Sequence, residues 1–356
     1  MYSSSFWLNR AAYIALRGTG SVSPNPLVGA VLVHNNRIIG EGWHACFGQA
    51  HAEVNCIHSV SEADRCFLPE SVLYVTLEPC NHWGKTPPCT NAIQSSNITQ
   101  VVVGSVDPNP LVSGQGIARL RSAGIQVDYI EHHASHWINR RFLRIHHTKR
   151  PYIILKWAES ANGFMGIYGK RVSVSSETAR SIVHQWRAAE DAILVGSKTA
   201  SVDNPLLTVR SAQGKNPLRI VLDNFLSVPS SAHVYTDGLP TVMVNSKRED
   251  VVGAVQFLKV NPQNSIEETL SFLHQRQIGS ILVEGGHLIH QTFINKSLVD
   301  EIRVIRSKNS VITDPQAIPS PQHSFVLSET MDIGEDCIMT FFPEGNASYV
   351  TLPPAL

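Results

Sequence analysis

Apolar residues fall at helical spacing over 6–17, where Leu8, Ala11, Ala12, Ala15 and Leu16 share one face before Gly18 and Gly20 end the run. Two apolar runs, 27–34 and 38–43, flank Asn35-Asn36-Arg37, which predicts a β-hairpin. Helical spacing returns over 50–60, a segment carrying His51, Glu53 and Val54. A strand over 72–77, a helix over 87–95, a strand over 100–106, a helix over 117–123 and a strand over 125–130 follow. Cys80 lies just past the first of these strands, and Cys89 in the first turn of the next helix. Prolines suit that helix start, because N–H groups there lack intrahelical partners. The stretch 134–147, rich in His and Arg, reads as one helix.

Arg150-Pro151 breaks the pattern and places a domain boundary near 147–151, giving domains over 1–147 and 151–356. Beyond it the alternation resumes, with strands over 152–155, 192–195, 218–222, 241–244 and 280–284. Helices over 177–189 and 266–275 lie between them, and one over 288–295 follows the last. Both halves therefore read as layered α/β domains. Neither an internal repeat nor a low-complexity tract is evident.

Composition sharpens this in three ways. A length of 356 residues, 43% of them hydrophobic, suffices for two cores. Twenty-nine basic residues balance twenty-nine acidic ones, which argues against a nucleic-acid partner, whose footprint is usually basic. Six cysteines are too sparse for a disulfide framework. The first ten residues lack the basic and apolar regions of a signal peptide, and no run of about 18 apolar residues occurs. A cytoplasmic protein without a membrane partner is expected.

The candidate chemistry lies in His51-Ala52-Glu53, Pro79-Cys80 and Cys89. One His and two Cys are the ligands of an open zinc site, and a non-ligating Glu moves protons beside it. Zinc deaminases of nucleobases carry this pattern as H-x-E…P-C-x-x-C. Here eight residues, Asn81 to Pro88, separate the cysteines instead of two. Both ligand segments sit at helix starts, where the dipole favours thiolates.

With Asn25-Pro26-Leu27-Val28-Gly29-Ala30-Val31, Gly42-Trp43-His44 and the run from Leu77 through His82-Trp83-Gly84-Lys85-Thr86-Pro87-Pro88-Cys89, the first half resembles the deaminase of riboflavin biosynthesis. Asp107-Pro108-Asn109-Pro110 and Gly114-Gln115-Gly116 fit the same family. The resemblance implies a cytidine-deaminase-like three-layer α/β domain with one Zn²⁺ on His51, Cys80 and Cys89 and with Glu53 catalytic. The implied substrate is a small phosphorylated pyrimidine, 2,5-diamino-6-ribosylamino-4(3H)-pyrimidinone 5′-phosphate. A phosphorylated substrate needs donors and positive charge. His82, Lys85 and Thr86 in the long loop offer both, and Asn25 and His44 are candidates for the pyrimidine or ribose. For the last two a plain structural role competes: Asn25 before Pro26 shapes a turn, and a lone His is often a satisfied core residue.

The second half lacks a G-x-G-x-x-G fingerprint, so a standard dinucleotide fold is not supported. Gly285-Gly286 after an apolar strand either cradles a phosphate or makes a tight turn. Leu155-Lys156-Trp157-Ala158-Glu159-Ser160, Ile193-Leu194-Val195-Gly196, Asp203-Asn204-Pro205, Leu207-Thr208-Val209-Arg210, Arg219 to Asp223 and Val283-Glu284-Gly285-Gly286 resemble the reductase usually fused to that deaminase. The resemblance implies a dihydrofolate-reductase-like α/β domain that uses NADPH to reduce the ribosyl group to ribityl. It places Ala158, Thr199, Asp203 and Gly286 along NADPH, and Lys156, Arg187, Leu207, Arg210 and Glu284 toward the substrate. It also implies a homo-oligomer.

Three departures stand out in this half. The family often has Asp where this chain has Asn162, and Ser-x-Trp-Ile-Thr near Arg171-Val172-Ser173. Its usual Gly-Gly run near the C-terminus is missing, since 305–316 contains no glycine. Two other readings remain: a deaminase of RNA, and a closed structural zinc site with His82 or Cys56 as fourth ligand.

Overall fold

The computed structural model describes residues 2–109 and 112–345. The chain divides between Thr148 and Lys149 into two compact units.

The first unit runs α1 (Ser4–Ala15), β1 (Gly29–His34), β2 (Arg37–Trp43), α2 (Ala52–Ser59), β3 (Val72–Val75), α3 (Cys89–Ser95), β4 (Gln100–Val103), α4 (Gln115–Ser122), β5 (Gln126–Tyr129), α5 (His133–Ile138) and α6 (Arg140–Thr148). Its sheet has the order β2-β1-β3-β4-β5. The β1–β2 hairpin turns on Asn35 and Asn36, both at positive φ, the geometry that suits the twist of paired strands. Alternate strand residues face opposite layers. Val31, Val33, Tyr74 and Val102 meet α1 through Trp7, Leu8, Ala11 and Ile14. Ala30, Leu32, Leu73, Val75 and Val101 meet α2, α3 and α4 through Ala52, Cys56, Ile93 and Leu120. The result is the expected three-layer α/β arrangement.

The second unit runs β6 (Tyr152–Glu159), β7 (Phe164–Ile167), α7 (Glu177–Ala189), β8 (Ala192–Gly196), α8 (Ser197–Asp203), β9 (Leu218–Leu222), α9 (His233–Thr236), β10 (Thr241–Asn245), β11 (Asp250–Val252), β12 (Val255–Lys259), α10 (Ser265–Gln275), β13 (Ser280–Val283), α11 (His287–Asn295), β14 (Glu301–Ser307), β15 (Ala317–Pro319), β16 (Val326–Ile333) and β17 (Asp336–Phe342). Ten strands form one sheet in the order β11-β12-β10-β9-β8-β13-β6-β14-β17-β16, and β7 pairs separately with β15. The strands from β12 to β14 in that order are parallel. Chain order reverses between β8 and β13: β8 leads outward to β9, whereas β14 follows β13 on the other side. In open parallel sheets such a reversal leaves a ligand crevice at the carboxyl ends of the two strands.

Three expectations change. The segment 134–147 is two helices, because the buried Asn139 turns its amide onto both peptide groups of Leu27, at 2.8 and 2.9 Å. His51 caps α2 from outside it rather than lying in it. Strands β7, β11, β12 and β14 to β17 and helices α8 and α9 were not expected. In β14 the buried side holds Glu301 and Arg303, joined at 2.6 Å, so polarity does not mark its faces. In β16, at the sheet edge, nearly every residue is exposed.

Candidate functional site

In the first unit, three ligand atoms converge. His51 Nδ1 lies 3.5 Å from Cys80 Sγ and 3.3 Å from Cys89 Sγ, and all three atoms fall within 4.8 Å of one another. Tetrahedral zinc with two S and one N ligand separates S and N by about 3.6 Å, so the residues fit the metal. The Cys89 amide at the start of α3 points at Cys80 Sγ, 3.4 Å away. Hydrogen bonding from Cys89, then His51, outweighs burial and pulls the Cys80 thiol down to about 4. Among the described residues no fourth member joins this group. Cys56 is fully buried in the core between β1 and α2, with its thiol pushed far up by burial, and His82 is exposed. Neither supplies the fourth ligand of a closed site.

Glu53, in the first turn of α2, is 3% exposed. Burial first, then the nearby Cys80, raises its carboxyl to about 7. His44 is buried, and its Nδ1 meets the Ala50 carbonyl at 3.1 Å while its Nε2 meets Asn25 Nδ2 at 3.1 Å. Both ring nitrogens are therefore engaged, and His44 orients Asn25. In the long loop His82 and Lys85 are exposed and Thr86 is half-buried. Lys85 Nζ rests over the Phe47 ring, 4.0 Å from its centre.

Sequence reasoning missed Glu78. Its buried carboxylate accepts from the amides of Gly114, Gly116 and Ile117 at 2.8–3.1 Å. This clamps the start of α4 onto the segment that carries Cys80. A Cβ at Gly116 would stand 1.9 Å from the Pro79 carbonyl, so only glycine fits there. The signal in the sequence is Gly114-Gln115-Gly116, whose second glycine is required by this close approach.

In the second unit the crevice between β8 and β13 holds the glycine pair. A Cβ at Gly285 would lie 2.5 Å from Val195 Cα, so the two strand ends need a glycine to approach this closely. Gly286 caps α11 at φ 58, and a Cβ there would meet Thr199 Oγ1 at 3.2 Å. An open, glycine-lined helix start of this kind fits the pyrophosphate of a dinucleotide. Thr199, on α8, borders this crevice; Asp203 ends the same helix, and Ala158 on β6 packs against the cluster of Ala179, Val183, Ile305 and Ile338.

A charged cluster lies beside it. Arg187 on α7 holds Glu284 through two bonds of 2.8 and 2.9 Å and donates to the Thr208 carbonyl at 3.1 Å. Lys156 Nζ approaches Glu284 at 3.7 Å. Burial raises the Glu284 carboxyl, but Lys156 and Arg187 overcome it and hold the group at about 2. Burial lowers the Lys156 ammonium. Arg187, expected to face the substrate, has three of its five donors committed inside the protein. Arg210 is exposed and bonds Thr208 Oγ1 at 2.8 Å, which leaves most of its guanidinium open. Leu207 is buried at φ 57, a strained backbone for a bulky residue and of a kind that clusters at ligand sites. Arg171 and Ser173 are exposed, and Ser173 receives a bond from Arg180.

Known proteins match both geometries. The model of the cytidine and deoxycytidylate deaminase zinc-binding region matches residues 1–105, and that of the RibD C-terminal domain matches residues 151–307. Riboflavin biosynthesis protein RibD of Bacillus amyloliquefaciens is 40% identical over 83% of this chain and 82% of its own. The Aquifex aeolicus protein of the same name is 38% identical over 84% and 85%. The structure of Acinetobacter baumannii RibD superposes with a TM-score of 0.87 at 31% identity, covering 96% of this chain and 98% of that one. A Thermotoga maritima diaminohydroxyphosphoribosylaminopyrimidine deaminase/5-amino-6-(5-phosphoribosylamino)uracil reductase superposes at 0.86 with 31% identity and the same coverage. A zinc-ligand triad beside a buried glutamate, a glycine-lined crevice at a strand reversal and full-length likeness to these proteins agree: the chain belongs to the RibD family of two-domain riboflavin-biosynthesis enzymes.

Proposed function

We propose that residues 1–147 remove the 2-amino group of 2,5-diamino-6-ribosylamino-4(3H)-pyrimidinone 5′-phosphate by hydrolysis. Residues 151–356 then reduce the ribosyl group of the product to ribityl with NADPH. The observation that carries the first step is the open triad of His51, Cys80 and Cys89 beside the buried Glu53. Zinc on those ligands supplies hydroxide at neutral pH. Glu53 takes a proton as oxygen joins C2 and returns it to the amine, so that the C2–N bond breaks and ammonia leaves. Asn25, held by His44, faces the pyrimidine; His82, Lys85 and Thr86 hold the phosphate and sugar.

NADPH bound in the second unit would supply the hydride needed at C1′ of the opened ribose, whose nitrogen takes up a proton. Gly286, Thr199, Asp203 and Ala158 seat the cofactor. Lys156, Glu284 and Leu207 hold the sugar chain, Arg210 the phosphate, and Arg187 keeps Glu284 oriented. The enzyme works as a homo-oligomer in the cytoplasm. The exposed edge strand β16 and six unpaired cysteines support that reading.

Ammonia release and NADPH oxidation, followed together on the diamino-pyrimidine phosphate, test the whole reading. Glu53→Ala should abolish ammonia release while zinc content and reduction of the deaminated substrate persist. Ammonia from RNA but not from the free pyrimidine phosphate would overturn the proposal.

A further inference from the structure

The two-stranded ribbon of β7 and β15 lies apart from the main sheet, and its outer contacts reach both sides of the crevice. At one end Tyr168 bonds Lys198 on α8 at 3.1 Å, next to Thr199. At the other, the Pro319 carbonyl meets His287 Nδ1 at 2.9 Å, next to Gly286. The ribbon therefore spans from the start of α8 to the start of α11, across the seat proposed for NADPH.

Its base is held differently. Asn162 Nδ2 donates to the Ile312 carbonyl at 2.8 Å, and Asn162 Oδ1 accepts from the Ile312 amide at 3.1 Å. Only a carboxamide can pair both ways with a peptide group, since Asp lacks the donor and Ser is too short to span the two atoms. Ala161 N adds a bond of 2.7 Å to the Ser310 carbonyl, and Ser320 N one of 3.0 Å to the Gly163 carbonyl. Ser160 Oγ, 2.7 Å from Asn162 Oδ1, fixes the side chain that makes the pair. These bonds gather at the base, one residue from the Pro319–His287 contact, whereas at the far end Lys198 donates to Tyr168 Oη.

We propose that Asn162 is a positioning residue of the reductase: its amide fastens the glycine-free 310–312 segment to the 160–163 turn, so that the β7–β15 ribbon forms a fixed roof over the cofactor crevice. Two features of this chain, Asn162 and the missing glycines of 305–316, then act as one compensated pair. A stiff segment gains from a two-point peptide staple what a flexible one would leave to loop motion. The roof touches the helices beside Thr199 and Gly286, so it acts on the cofactor. The Lys156–Arg187–Arg210 cluster is borne by β6, α7 and the segment before β9 and does not depend on it.

The inference rests on the cofactor reading above, and NADPH binding by nicotinamide fluorescence tests both in the full chain. Asn162→Asp turns a carboxylate oxygen toward the Ile312 carbonyl and should weaken NADPH binding about tenfold. Asn162→Ala, which removes the staple without adding repulsion, should weaken it about threefold. In both, ammonia release should hold, and so should KM for the pyrimidine substrate of the reductase, the latter showing that the second unit is folded. NADPH affinity within twofold of the parent in both variants, or a fall in thermal midpoint without loss of NADPH affinity, overturns the role given to Asn162. Gly286→Val separates the two readings. If it abolishes NADPH binding while the Asn162 variants bind normally, only the roof is wrong; if it too binds normally, cofactor seat and roof fall together.

Discussion

The two sites of this chain gather their residues in opposite ways. The deaminase site draws its triad and Glu53 from one stretch, 51–89, and fixes them at the starts of α2 and α3. The proposed reductase site takes Lys156 from β6, Arg187 from α7 and Glu284 from beyond β13, which charge pairing holds together, and Arg210 from the segment before β9, which joins them through Thr208. Local backbone geometry builds the first site. Buried electrostatics build the second, which should therefore respond more sharply to changes of charge.

The largest effect expected is at Glu53. Glu53→Gln keeps the shape of the side chain and removes proton transfer, so ammonia release should fall by about 10²–10⁴-fold with zinc still bound. A variant that also lost its zinc, measured by metal content, would make Glu53 a ligand and enlarge the local site by one member.

Glu284→Gln probes the other half. It leaves the Lys156 and Arg187 charges buried without a counter-charge, which should cost the reductase unit about 3–5 kcal/mol. The pH dependence has a definite sign. The folded carboxyl sits at about 2, below its ordinary 4.5, so its stabilisation is complete above pH 4.5. It is then lost as pH falls toward 2. Urea midpoints of the second unit should drop over that range in the parent and drop less in the variant. Equal slopes would show that the cluster owes its arrangement to packing, and the contrast between the two sites would vanish.

The difference also explains what could be read along the chain. His51, Cys80 and Cys89 stand out because few residue types bind zinc, and Glu53 because it follows the ligand histidine by two; all four fall at short spacings. The Asn35-Asn36 turn was legible for a similar local reason, both residues tolerating positive φ. Arg187 and Glu284 lie 97 residues apart, and nothing in either neighbourhood announces the pair. Asn139 gave no signal, and Asn162 stood out only as a departure from the Asp of the family. Each uses its amide as a substitute peptide group for a distant segment, Leu27 in one case and Ile312 in the other. Strand β14 stayed hidden because Glu301 and Arg303 neutralise one another inside the core, which erases the alternation by which strands are recognised.

Glu78 gives the smallest effect and the finest test. It touches no zinc ligand, yet its carboxylate holds the amides of Gly114, Gly116 and Ile117 against the chain two residues before Cys80. Glu78→Gln replaces one acceptor oxygen with an NH₂ that faces those amides, so at least one buried N–H loses its partner. Cys80 should keep its place through the Cys89 amide and the end of β3 but gain freedom, and zinc affinity should fall about tenfold in competition with a chelator. Because the triad is otherwise local, the loss should stay at that level and ammonia release should recover at saturating zinc. A fall beyond a hundredfold would mean that the clamp from α4 sets the ligand geometry. The deaminase site would then depend on a remote segment as much as the reductase site does.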